Sequence, residues 1–76
     1  MEKDLHEWLH DELDDAEKYA EAAKKAEGFE RQFLRDMSHE EYEHACAVWK
    51  MMEHEHMTDG MDKYKVFHET HEKVYH

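Results

Sequence analysis

The sequence predicts an all-α fold over residues 1–76: an antiparallel helical hairpin followed by a short C-terminal helix, in a single domain. Three observations predict it. Apolar residues recur at steps of 3 and 4 along two long stretches, which is the period of one helix face. The 76 residues include two Gly and no Pro, so the chain has few places to turn. Charged residues make up 41% and hydrophobic ones 39%, enough for each helix to bury one stripe and little more. So short a chain builds a small core, and the stripes are expected to complete it against other copies of the chain.

The first helix is expected over about residues 4–27. Asp4 followed by Glu7 has the form of an N-cap with its partner. Leu5, Leu9, Glu12, Ala16, Tyr19, Ala23 and Ala26 then step by 4, 3, 4, 3, 4 and 3. Glu12 is out of character on that stripe. Read alone, this helix puts Leu13 in the core and Glu12 at its edge. Lys24 and Lys25 suit a helix C-terminus, and Gly28 can supply the left-handed residue that ends it. A turn this short makes the next helix an antiparallel neighbour.

The second helix is expected over about residues 30–56. Its stripe is Leu34, Met37, Glu41, His44, Val48, Met51 and Glu55, widened by Phe33, Ala45 and Met52. Ser38 with Glu41 also has the form of a capping box. The apolar period runs through Ser38 unbroken, so no helix is started there. Thr58-Asp59-Gly60 breaks the pattern, and Thr58 or Asp59 can cap a further helix. Met61, Tyr64, Phe67 or His68, His71 and Val74 mark this weaker third helix, over about residues 60–75, that packs on the hairpin or swaps onto a neighbour.

A net charge of −11 with His neutral argues against nucleic acid and anionic membrane surfaces as partners. Cys46 is the single cysteine, so no intrachain disulfide forms and nothing points to an oxidising compartment. No run approaches the ~20 apolar residues of a membrane span. The charged opening Met1-Glu2-Lys3-Asp4 has no signal-peptide core. A cytoplasmic location is expected.

The polar residues on the stripes carry the chemistry. Burying a carboxylate or an imidazole is costly unless it is paired or bound to a metal. Glu12 lies 16 residues before Gly28, and Glu41 lies 13 after it. At ~1.5 Å per residue the two stand at about the same height in an antiparallel pair. Glu41 and His44 share a face at i, i+3. Glu12, Glu41 and His44 are therefore expected to meet in one layer, where a metal cation is the natural counter-charge. Three ligands per chain fall short of a two-metal site. A two-fold dimer doubles them to four Glu and two His, the ligand set of di-iron and di-manganese bundles.

Glu12-Leu13-Asp14-Asp15-Ala16-Glu17-Lys18-Tyr19 and Glu40-Glu41-Tyr42-Glu43-His44-Ala45 resemble the metal-binding helices of the rubrerythrin branch of the ferritin-like superfamily. The resemblance covers about residues 5–56. Full members carry four bundle helices in one chain. With one hairpin, this chain more closely resembles the half-length members, including the encapsulated ferritins, which rebuild the site across a dimer. There are no rubredoxin-type cysteine pairs and no recognisable apolar tail after residue 60 for docking to an encapsulin shell.

The resemblance implies a ferritin-like four-helix bundle made by a homodimer, with two Fe ions per dimer. It also implies ferroxidase- or peroxidase-type oxidation of Fe(II) by O2 or peroxide. Glu12, Glu41 and His44 would be the metal ligands and catalytic residues, with Glu41 bridging. Tyr19 and Tyr42 would be neighbours of the metals or redox partners, against ordinary packing for each. Mn and Zn accept the same ligands. Two other readings stay open: a module that holds a divalent metal without turnover, and a metal-free assembly bundle in which Glu12 and His44 pair.

Nine His in 76 residues is heavy usage. His6 with His10, His54 with His56, and His68 with His71 read as solvated pairs on acidic helices, against a surface site for incoming metal. The Met residues read as core filler, and Cys46 needs no role.

Overall fold

The computed structural model describes residues 4–76. The charged opening Met1–Lys3 lies outside the described residues. Three helices come in order: α1 (Leu5–Lys25), α2 (Gly28–His54) and α3 (Lys63–Tyr75). Among the described residues there is no strand. No helix is long and apolar enough to cross a membrane.

The caps explain the boundaries. The Asp4 side chain accepts from the His6 backbone N–H at 2.7 Å and starts α1, as the sequence leads one to expect. The turn differs in detail from expectation. Ala26 takes an extended conformation and ends α1, while the left-handed Gly28 (φ 58°) opens α2. Arg31 secures this corner. Its Nε donates to the carbonyls of Ala23 and Ala26 at 3.2 and 2.8 Å, and the Ala23 carbonyl also accepts the Ala26 N–H at 3.2 Å, so the last carbonyls of α1 are satisfied. The third helix starts later than the sequence suggests, because Asp62 rather than Thr58 or Asp59 caps it through the Tyr64 N–H.

The core face is turned from the stripe read in the sequence. In α1 the buried residues are Leu9, Leu13, Ala16, Ala20 and Ala23, and in α2 they are Ser38, Ala45, Val48, Trp49 and Met52. Small side chains line much of this seam, so the two backbones approach closely. The Ser38 hydroxyl donates to the Ala16 carbonyl at 2.7 Å across it. Glu12, Tyr19, Leu34, Met37 and Glu41 fall on the margin, half-buried. Met51, Glu55 and His44 are exposed. The expectation of a polar layer at the centre of the core is thus corrected: Leu13 takes the central position and the polar residues flank it.

α3 packs on the hairpin of its own chain through Phe67, Thr70 and Val74. The Phe67 ring meets Tyr42 and Trp49 edge-on, and Tyr75 stacks against His39. Thr70 and Lys73 both donate to the Glu17 carboxylate. Burial pushes that carboxyl up, but these two hydrogen bonds and the Lys73 charge outweigh it, and the net shift is downward.

α3 therefore rests on the Tyr42 and Trp49 side of α2. Residues advance ~100° per step around a helix, so the Glu41 and His44 side is left uncovered. The body is thin, with extents of 42 × 28 × 14 Å, and the uncovered side is broad. By helical phase Trp8 falls on the Glu12 side of α1, and Phe33 and Met51 on the His44 side of α2, with 41%, 53% and 50% of their surface in solvent.

The burial pattern gives a direct test. Met52 is fully buried, so Met52→Ala should cost about 2–5 kcal/mol in urea denaturation. Tyr64 is 67% exposed, and Tyr64→Ala should cost about 0.5 kcal/mol or less. Equal losses would contradict this core.

Candidate metal centre

Glu12 from α1 and Glu41 and His44 from α2 converge on the uncovered side of the hairpin. One ligand atom from each lies within 4.8 Å of the others. The equal height expected from the turn arithmetic holds. The His44 Nδ1 atom is 3.5 Å from Glu12 Oε2 and 3.6 Å from Glu41 Oε1. The two carboxylate side chains are 15% and 18% exposed, and the imidazole 61%. The cluster is a shallow one, sunk at its carboxylate end and open at its imidazole end.

Neighbours fix the Glu12 carboxylate. The Trp8 indole N–H donates to Glu12 Oε1 at 3.1 Å. The other oxygen, Oε2, is buried without a hydrogen-bond partner. A buried carboxylate oxygen with no donor is destabilising. Among the described residues, neither Glu12 nor Glu41 is paired with a Lys or Arg. The Glu12 carboxylate, with which Glu41 can share a proton, and then burial push the Glu41 carboxyl up to about 7. The weaker pull of His44 in the other direction does not offset them.

The donor set suits a divalent cation. Two carboxylates held close with no Lys or Arg beside them among the described residues, a Glu12 Oε2 without a hydrogen-bond partner and an imidazole nitrogen facing both are oxygen and nitrogen donors of the kind Fe, Mn and Zn accept. One hairpin supplies three of them, and the open imidazole end leaves room for more.

The other sequence candidates divide. Tyr19 sits half-buried on the margin of α1, seven residues and so about two turns from Glu12. Tyr42 points the other way, packed edge-on against Phe67, His71 and Tyr75. Its role is packing against α3, and it is no neighbour of the cluster. The histidine pairs stay apart from the cluster: His6 meets Asp4, His10 meets Asp14 and His68 stacks on Tyr64. Cys46 is half-buried beside the core, and burial pushes its thiol up. Sequence reasoning missed Trp8. Its position four residues before Glu12, one turn away on the same face, was the available signal.

Comparison with known proteins adds nothing: no family model, curated protein or solved structure matches the chain.

The shared proton makes a prediction for the metal-free chain. The ordinary Glu41 value is 4.5 and the folded value about 7. Between these, the folded chain holds a proton that the unfolded chain has released. This stabilisation is complete below pH 4.5 and is lost as pH rises through about 7. Urea midpoints from pH 5 to 8 should fall more for the wild type than for Glu41→Gln, whose side chain stays neutral. Parallel profiles for the two would contradict the shared proton.

Proposed function

We propose that two copies of this hairpin dock through their uncovered faces into a ferritin-like four-helix bundle that holds two metal ions, iron in the first place. The observation that carries this reading is the convergence of Glu12, Glu41 and His44, with ligand atoms within 4.8 Å of one another, on a face that α3 leaves open. A two-fold axis over that face brings four Glu and two His together, the set described for di-iron bundles. The exposed side chains of Trp8, Phe33 and Met51 supply apolar surface that favours burial against a second copy. The resemblance of the Glu41-x-x-His44 segment supports the same assignment.

In that dimer Glu12 would be a terminal ligand, held by Trp8 so that Oε2 faces the metal. Glu41 would bridge the metals, and binding them would displace the proton it shares with Glu12. His44 would be the terminal nitrogen ligand. The bound iron would supply one-electron steps toward O2 or peroxide, with Fe(II) as the substrate oxidised. The protein's part is to hold carboxylates in place and to keep water out by closing two uncovered faces on each other.

Metal analysis of protein purified anaerobically with Fe(II), joined to sedimentation equilibrium, tests the reading. Wild type should hold about two irons per dimer, and Glu41→Ala should lose the iron while keeping its helical circular dichroism. Metal retained by a folded Glu41→Ala chain would overturn the site. Tight Zn binding without O2 consumption on iron loading would leave a metal module without turnover. A dimer that takes up no metal, with the His44 and Glu12 pairing intact, would leave an assembly bundle.

A further inference from the structure

A cavity of about 190 Å³ lies where the last turns of α1, the first half of α2 and the end of α3 meet. Its rim carries Lys24, Arg31, Arg35 and Lys73. These are four of the ten Lys and Arg in the chain, and both of its arginines. No Asp or Glu lines it, although the chain has 21 of them. In a chain this acidic, four cations meet at one pocket with no carboxylate in its lining.

The fold anchors one of these charges directly. The Arg31 Nε is fixed on the α1 carbonyls, which leaves the outer nitrogens of its guanidinium at the pocket. Arg35 is one turn further along α2, on the same side. Among the described residues it pairs with no carboxylate. Lys73 meets Glu17 and Glu69, and Lys24 meets Glu21. The two guanidiniums therefore carry the site, and the ammonium groups add to its field. Below them the floor is apolar, made by the buried side chains of Ala20, Ala23 and Val74.

We propose that this pocket binds a small organic polyanion, a di- or tricarboxylate. Paired guanidiniums match carboxylates with two parallel hydrogen bonds each. The cavity holds the volume of about six waters at ~30 Å³ each, more than a single phosphate fills. The floor suits a short carbon skeleton. The pocket lies on the α3 side of the hairpin, so this inference stands apart from the metal reading.

Calorimetric titration and backbone NMR of the metal-free protein at low salt, with citrate, succinate and phosphate, test it. Citrate should bind saturably at one site per chain, more tightly than succinate, and phosphate most weakly. Amide shifts should be confined to residues around Ala20, Arg35 and Lys73. Arg35→Gln, at an exposed position, should keep its circular dichroism and weaken citrate binding by about ten-fold, the weight of one charge-assisted hydrogen bond. Lys50→Gln, at the far end of α2, should leave binding unchanged. Phosphate binding as tightly as citrate would overturn the carboxylate assignment. Unsaturable shifts, or equal losses in Arg35→Gln and Lys50→Gln, would overturn the site.

Discussion

Two carboxylates meet side by side in this hairpin with no Lys or Arg beside them among the described residues, and the rest of the structure depends on how that repulsion is managed. Glu12 and Glu41 are each mostly out of solvent. The indole of Trp8 satisfies one oxygen, a shared proton offsets part of the charge, and His44 faces both groups. None of these is a full counter-charge. A like-charge pair of this kind costs stability in the metal-free chain and is retained where something else depends on it. The corner at Gly28 sets the height of the pair, and the small residues of the seam bring the helices close enough for the two carboxylates to lie within 4.8 Å of each other.

α3 decides which side of the hairpin stays open. By covering Tyr42 and Trp49 it completes the core of one chain, through contacts such as Thr70 with Glu17 that join residues 53 positions apart. It thereby leaves the carboxylate side open, with Trp8, Phe33 and Met51 exposed. The two sides also differ in charge. Acidic groups gather on the open side at Glu12, Asp15 and Glu41, and the arginines gather at the opposite corner.

The helices and the cluster were legible in the sequence, and the core face was not. Period and caps were enough for α1 and α2, and turn arithmetic was enough to bring Glu12 to the level of Glu41. The helix α2 carries two adjoining apolar stripes, one through Leu34, Met37, Val48 and Met51 and one through Ala45, Trp49 and Met52. Periodicity cannot choose between them. The choice is made by close packing of Ala16, Ala20, Ser38 and Ala45, and by where α3 lands, both of which are long-range facts. Tyr42, which the family resemblance offered as a neighbour of the metals against ordinary packing, is part of the α3 contact. Trp8 escaped notice because an exposed aromatic one turn from a carboxylate has no periodic signature of its own.

The central claim is that one chain holds half of a metal site and a twin supplies the other half. X-ray absorption on the iron-loaded protein tests this most directly. The account predicts a metal–metal distance of about 3.5–4 Å, with oxygen ligands in excess and one imidazole nitrogen for each iron. A spectrum with no second metal within that range would contradict it.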